Sequence, residues 1–265
     1  MKPLTVVLGS RKDLPGFEFP QVSPLYPAFA RMVRNLEFDV CELALATYLQ
    51  ARGAGVPITL IPAVMVGGTH HRSLTRLPDG PELTPGDLVG KRIGVRSYSQ
   101  TTGLWVRGIL SEEYGIAASD ITWVTTEEPH VAQYEEPAWV TRSSAGRVAD
   151  LLHRGDVAAA VLGPRAIGGQ GEGLVPVIPD AEAAARAWVD RHGFVPVNHV
   201  VVVRDDVLRA VPDQVRELAQ ALGAGWSDEL RACMELAARY ALEQELLREP
   251  IDLDVIEKEA TRLWS

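Results

Sequence analysis

The stretch Gly90-Lys-Arg-Ile-Gly-Val-Arg-Ser-Tyr-Ser-Gln-Thr-Thr-Gly-Leu-Trp-Val-Arg-Gly-Ile-Leu110 decides how the rest of the chain is read. It begins as a short apolar strand over 92–96, passes through a polar turn and continues as an amphipathic helix. Ser97, Ser99, Thr101 and Thr102 bring hydroxyls to the turn and are N-cap candidates. The first N–H groups of a helix have no partner within it, so such a start can take a carboxylate or another small anion. A phosphate-binding loop would need a glycine-rich run ending in Gly-Lys-Ser/Thr, and this turn has neither. The pattern favours a small anionic ligand over a nucleotide.

Outward from this unit the chain alternates between the two periodicities. Strands are predicted over 4–8, 38–41, 58–66, 121–125, 157–162 and 197–204, with Pro62 interrupting the third. Helices are predicted over 28–35, from about 43 to 52, and over 146–154 and 182–192, and the last third is helical over 211–222, 227–247 and 253–263. The nearly continuous apolar run at 157–162 is of the kind found inside a parallel sheet. Alternation of this sort indicates an α/β protein with mostly parallel sheets and a helical C-terminus. Pro- and Gly-rich approaches near 80–90 and 190–200 read as two crossings between lobes. They place residues 1–88 and 195–265 in one lobe and 89–194 in the other, with a ligand cleft between them at the strand ends. Gly168-Gly-Gln-Gly-Glu-Gly173 follows a strand without opening a helix and reads as a loop.

The 265 residues carry 26 Lys and Arg against 35 Asp and Glu, a formal net charge of −9. An acidic surface argues against nucleic acid or anionic lipid as partner, but a local basic pocket can still capture a small anion. Hydrophobic residues make up 46% and charged residues 23%, values of a globular enzyme or binding protein. Cys41 and Cys233 lie far apart in apolar surroundings and read as buried structural thiols. The first apolar run is too short for a signal peptide and no segment reaches transmembrane length, so the expected location is cytoplasmic.

The segments Phe38-Asp-Val-Cys-Glu-Leu-Ala-Leu-Ala-Thr-Tyr-Leu49, Asp87 through Ile116, Asp120-Ile-Thr-Trp-Val124, Gly155-Asp-Val-Ala-Ala-Ala-Val161 and Gly193 through Val207 resemble, in order and spacing, the 4,5-dihydroxyphthalate decarboxylase family. The resemblance covers most of residues 30–215 and implies a two-lobed type II periplasmic-binding-protein-like fold. It also implies decarboxylation of a small hydroxylated aromatic acid. The family's Phe-Arg-His-Ser type segment is altered here to Gly68-Thr-His-His-Arg-Ser73, and Val64-Met-Val-Gly-Gly replaces the preceding aromatic and Arg. A changed carboxylate-binding wall and a changed aromatic substrate are expected.

Site residues follow from chemistry and from this resemblance together. His199 matches the family histidine near the second crossing, and a neutral imidazole can give or take a proton near neutral pH. His70 and His71 would point to opposite sides of a strand. His71 is the favoured second proton donor or acceptor, and Arg72 the carboxylate partner, since a guanidinium makes two parallel charge-assisted bonds. Glu42 is placed at the opening of a helix and matches an acidic family position facing the cleft, where it would orient a histidine or a phenol. Arg96, Tyr98, Ser99, Thr101, Thr102, Glu127 and Arg165 complete the expected substrate contacts at strand ends and turns. Arg107, two turns into its helix, is expected to be structural or at a subunit surface, and Trp139 is a candidate for substrate stacking.

The resulting expectation is a decarboxylase that protonates the ring carbon bearing the carboxylate. A ring hydroxyl would stabilise the dienone-like intermediate, so no electron-sink cofactor is required. No His-x-x-x-His, Cys–His cluster or Asp-rich loop marks a metal, although convergence of His70, His71, His199 and Glu42 leaves a divalent ion open. The alternatives are a cytoplasmic carboxylate-binding module without catalysis, and another lyase or dehydratase on the same fold. An apolar stripe of Leu230, Cys233, Met234, Ala237, Ala241 and Leu242 serves helix packing and leaves a homodimer as an expectation. Light scattering of micromolar protein should then give the dimer mass, and a monomer mass removes that expectation.

Overall fold

The computed structural model describes residues 3–10, 14–144, 146–162 and 172–264. Arg165 and most of the 168–173 glycine run lie outside them. The strands are β1 Leu4–Val7, β2 Phe17–Glu18, β3 Val40–Ala44, β4 Ile58–Gly67, β5 Leu74–Arg76, β6 Arg92–Val95, β7 Thr122–Thr125, β8 Val140–Arg142, β9 Ala159–Val161, β10 Val175–Pro176 and β11 Val197–Arg204. The α-helices are α1 Pro27–Asn35, α2 Leu45–Gly53, α3 Thr101–Tyr114, α4 Val148–His153, α5 Ala181–His192, α6 Asp205–Ala210, α7 Pro212–Ala221, α8 Asp228–Glu243 and α9 Leu253–Thr261. A five-stranded sheet of order β2-β1-β3-β11-β4 forms the centre of one lobe, and a six-stranded sheet of order β10-β5-β9-β6-β7-β8 that of the other. β5 lies upstream of residue 88, yet it belongs to the second sheet.

The sheets are mixed, which corrects the expectation of mostly parallel ones. β1 runs parallel to β2 and β3, and β6, β7, β8 and β9 form a parallel block. β11 is antiparallel to both β3 and β4, and β5 is antiparallel to both β9 and β10. The physical reason is that a continuous apolar run reports burial on both faces and carries no information about strand direction. In β11, Val200 and Val202 enter one apolar core while Val201 and Val203 enter the core on the opposite face. Pro62 is tolerated because β4 is an edge strand whose ladder to β11 is interrupted between Ile61 and Val66.

Helices cover these faces through ordinary amphipathic packing. The buried side of α8, including Leu230, Cys233, Met234, Ala237 and Ala241, is used within the chain, whereas Leu242 is exposed. Cys41 and Cys233 are buried free thiols, the former on β3 and the latter on α8. No helix among the described residues is long and apolar enough to cross a membrane.

The junction of α3 with α8 ties the C-terminal helices to the second lobe. Gly108 of α3 lies flat against the Tyr240 ring of α8, where a Cβ would overlap the ring, and the Tyr240 hydroxyl donates to Glu112. Ala is the better helix former by about 1 kcal/mol, but overpacking typically costs about 1–3 kcal/mol. Gly108→Ala is therefore expected to lower stability despite its propensity, with the loss reduced when Tyr240 is also shortened to Ala. Urea unfolding of the two single variants and the double variant checks this. Equal or greater stability of the Gly108→Ala protein would show that the contact is not tight.

Candidate active site

A cleft of about 850 Å³ lies where the strand ends of the two sheets face each other. That size suits a small organic ligand. The first lobe contributes Phe29 of α1, the end of β3 at Ala44, the end of β4 at Val66 and Gly67, and the start of β11 at Asn198 and His199. The second contributes Arg96 after β6, the start of α3 from Gln100 to Thr102, and Glu127 and His130 after β7.

His199 and Glu42 form the most strongly built pair on this wall. His199 Nδ1 donates to Glu42 Oε1 at 2.6 Å, and Gly9 N donates to Glu42 Oε2 at 2.8 Å. The carboxylate is buried, while the His199 side chain keeps 25% of its exposure and meets the Phe29 ring edge-on at 5.3 Å. A carboxylate on Nδ1 holds a ring proton there and fixes the orientation of the imidazole. Nε2 is left without a protein partner among the described residues and is the atom available to a ligand. Glu42 belongs to β3, which continues to Ala44, so the expectation that it opens a helix is corrected. Its backbone is committed to the ladder opposite Val201, and its side chain is free to serve the histidine.

The two adjacent histidines are separated in the opposite sense to that expected. His70 lines the cleft and donates from Nε2 to Asn198 Oδ1 at 2.7 Å. His71 does not line the cleft: it sits in a short 3-10 turn over His71–Ser73, 3.3 Å from Glu113 Oε2 and buried beneath α3 and α5. The turn rotates successive side chains apart, and only one face of it borders the cavity. Arg72 reaches the rim but is half exposed and paired with Glu182 at 2.6 Å.

The polar turn before α3 divides in the same way. Thr101 and Thr102 line the cleft, and Thr101 Oγ1 also accepts a bond from Ala46 N of α2 at 3.0 Å, linking the two lobes. Gln100 is the N-cap residue, but no side chain caps α3 and no acidic residue lies in its first turn. The N–H groups of Thr101, Thr102 and Gly103 consequently have no intrahelical partner, and Thr101 and Thr102 line the cavity at the positive end of the helix dipole. Ser99 and Tyr98 are buried away from it, correcting their expected substrate contacts. Ser99 bonds Ser97 at 3.0 Å, and the Tyr98 hydroxyl donates to Gln244 O and accepts from Trp139 Nε1, each at 3.0 Å. Trp139 thereby packs against the core, and the expected stacking role is withdrawn.

The cleft arginines are largely neutralised by neighbours. Arg96 lies over the Tyr26 ring at 4.0 Å and donates to Glu127 at 2.9 Å, and Arg147 pairs with Asp150. His130, Asn198 and Gln100 were not singled out from the sequence. Asn198 and His199 should face opposite sides of a regular strand, but the β11–β4 register shifts on both sides of His199 and both side chains border the cavity. His130 follows β7 at a strand end, a position that could have flagged it. Its Nδ1 shares a 2.8 Å hydrogen bond with Thr47 Oγ1 of α2. Among the described residues no group of three His, Cys, Asp or Glu side chains is placed to hold a metal ion.

No family model matches the sequence. Among solved structures, the periplasmic aliphatic sulphonate binding protein SsuA from Escherichia coli aligns with a TM-score of 0.58 and 15% identity, covering 94% of this chain and 89% of that one. A mutant of DszB in complex with biphenyl-2-sulfinic acid aligns with a TM-score of 0.50 and 16% identity, over 93% of this chain and 92% of that one. These likenesses place the fold in the type II periplasmic-binding-protein-like class. In sequence, the 4,5-dihydroxyphthalate decarboxylase of Comamonas testosteroni is 34% identical over 196 residues, 69% of this chain and 59% of that relative. The enzyme of the same name from Pseudomonas putida is 35% identical over 147 residues, 52% of this chain and 57% of that relative. The chain belongs to the 4,5-dihydroxyphthalate decarboxylase family, and it spans somewhat under three fifths of the length of these relatives. The expected cytoplasmic location is overturned by the likeness to SsuA, a periplasmic protein of the same fold.

Burial holds His70 and His130 neutral, lowering each to about 4 from an ordinary 6.5; Arg96 and Arg34 add to the effect at His130, while Asn198 partly opposes it at His70. Each binds its proton more weakly in the folded than in the unfolded chain. Their contribution to stability is therefore present above pH 6.5 and lost as the pH falls toward 4. Each histidine should account for about 3 kcal/mol of acid-induced loss by about pH 4. His130→Asn is expected to flatten the pH dependence of urea unfolding across that window, and an unchanged slope would show that His130 is not a neutral buried base.

Proposed function

We propose that the protein is a cofactor-independent carboxy-lyase, which removes CO2 from a small hydroxylated aromatic acid bound between the lobes. The single observation that carries this reading is the His199–Glu42 pair, with its free Nε2 on the cleft, in a cavity that also receives the uncapped start of α3. Sequence likeness to decarboxylases supports the same class of reaction.

In this reading the substrate carboxylate sits at the N–H groups of Thr101, Thr102 and Gly103, where the helix dipole favours negative charge. His199 Nε2–H protonates the ring carbon that bears the carboxylate, and a ring hydroxyl lets the ring hold that proton as a dienone-like intermediate. The carbon–carboxylate bond then breaks, its electron pair restores the aromatic ring, and CO2 departs. The product keeps the proton from His199, which is reprotonated from water. Glu42 stabilises the imidazolium before transfer and fixes its orientation. Arg96, Glu127 and the rim residue Arg72 are the proposed contacts to the remaining substituents, and His70 bounds the ring. The lobes, 1–88 with 195–265 and 89–194, would close over the ligand and exclude water; β5 crosses that division.

The test is CO2 release from a panel of hydroxylated benzoates and phthalates, with the product followed by mass. One CO2 per substrate consumed is expected. His199→Asn should lower turnover about 10²- to 10⁴-fold while ligand binding persists, with a smaller loss for Glu42→Gln. Binding without any product would make the protein a carboxylate-binding module, and loss of water in place of CO2 would make it a dehydratase. Full turnover by the His199→Asn protein would remove His199 as the acid.

A further inference from the structure

Among the described residues, Arg107 is the arginine near the anion-binding turn whose charge is left uncompensated. Arg72, Arg96 and Arg147 each have a carboxylate partner. Arg107 is 1% exposed, and among the described residues no carboxylate lies within ion-pair distance of it. Its Nε donates to Gln244 Oε1 and its Nη2 to Tyr98 O, both at 2.7 Å, while Nη1 is buried with no hydrogen-bond partner among the described residues. The guanidinium is stacked over the Tyr98 ring at 3.9 Å, with the Trp123 ring at 5.2 Å.

Its position follows from helix geometry. Side chains on a helix lean toward the N-terminus, so a residue is carried over the turn before its own Cα. Arg107 is thereby brought against Gly103, and Nη1 lies 3.0 Å from where a Cβ on that glycine would stand. The guanidinium thus sits beside the first turn of α3, the uncapped turn whose Thr101 and Thr102 line the cleft. Gly103 leaves room for it, and the bond to Tyr98 O fastens it under the turn.

We propose that Arg107 is the fixed countercharge for the anionic group held at the start of α3, and that it makes the cleft select carboxylates over neutral isosteres of the same shape. The proposal rests on the reading of the cleft as an anion site. A buried cation without a counter-ion is costly even when hydrogen-bonded, and an arriving anion recovers part of that cost through the low-dielectric interior. A guanidinium keeps its proton where a lysine or histidine would lose it, which suits the task. Arg107 does not line the cleft, so it acts through its charge.

Calorimetric titration of the full chain with 4,5-dihydroxyphthalate and with its neutral diamide tests this. The unmodified protein should prefer the acid. Arg107→Met should weaken the acid about ten-fold and the diamide by less than about two-fold, as expected for one unit charge acting across roughly a helical turn or two. Arg107→Lys, whose buried amine loses its proton more readily, should restore the preference for the acid at low pH and lose it as the pH rises. Gln244→Glu provides a second route should the methionine variant not fold, because it neutralises the guanidinium in place and should reproduce the loss for the acid alone. In the unmodified protein, the preference for the acid should survive a change from about 50 mM to about 500 mM salt, since a buried charge is poorly screened. Equal losses for acid and diamide would reduce Arg107 to a packing role, and unchanged acid binding by the methionine or Gln244→Glu variant would overturn the proposal. An unmodified protein that binds no acid would overturn both this and the carboxy-lyase reading. Acid binding without CO2 release would remove the lyase reading alone.

Discussion

The pairing of β11 between β3 and β4 is the constraint from which the site is built. It returns the chain, after the whole second lobe, to the middle of the first sheet, with His199 opposite Ala44 and Val201 opposite Glu42. Glu42 and His199 are 157 residues apart in sequence and 2.6 Å apart in space. The valines that follow are buried on both faces, so the register cannot slip by one residue without moving both cores. The irregularity with β4 beside His199 then turns Asn198 toward the cavity as well. A tightly specified strand thus has a locally irregular end, and the irregular part borders the cavity.

The electrostatics of the cleft combine neutral and charged groups in a definite order. Arg72, Arg96 and Arg147 are offset by carboxylates at the wall and rim. His70 and His130 are kept neutral by burial. The positive potential that remains at the cavity wall comes from backbone N–H groups at the uncapped start of α3, a fixed donor set that needs no rearrangement to meet an anion. Among the described histidines, His199 combines an anionic partner with access to the cavity. The His199–Glu42 pair and the uncapped start of α3 thus border the cavity from different elements, one from each lobe.

This division bears on why one fold can serve both capture and chemistry. SsuA is a sulphonate-binding protein and a DszB mutant is seen with biphenyl-2-sulfinic acid bound, and both align with this chain over most of its length. A helix start between two lobes is enough to hold an anion. Catalysis needs, in addition, a proton donor aimed at the reacting atom, and the β3–β11 pair is where such a donor can be placed and oriented. Function on this scaffold is therefore a property of a few strand-end residues and not of the fold.

Much of the architecture was legible in the sequence because local pattern dictates it. The strand and helix of 90–110, the strand interrupted by Pro62, the helical C-terminus and the family resemblance all follow from residue order alone. Strand direction was not legible, since Val200 to Val203 would read the same in a parallel or an antiparallel ladder. His199 and Glu42 were visible as residue types, but their bond depends on a long-range register. Residue order does not separate His70 from His71, because one residue of rotation in a short turn decides which ring meets the cleft and which meets Glu113. Tyr98 and Arg107 turned inward through packing against Gln244 of the C-terminal region, a contact made across more than a hundred residues. The sequence by itself determined the elements and the chemical groups available to the site; only the tertiary structure decided which of those groups share the cavity, because burial and register are set by contacts between segments distant in the chain.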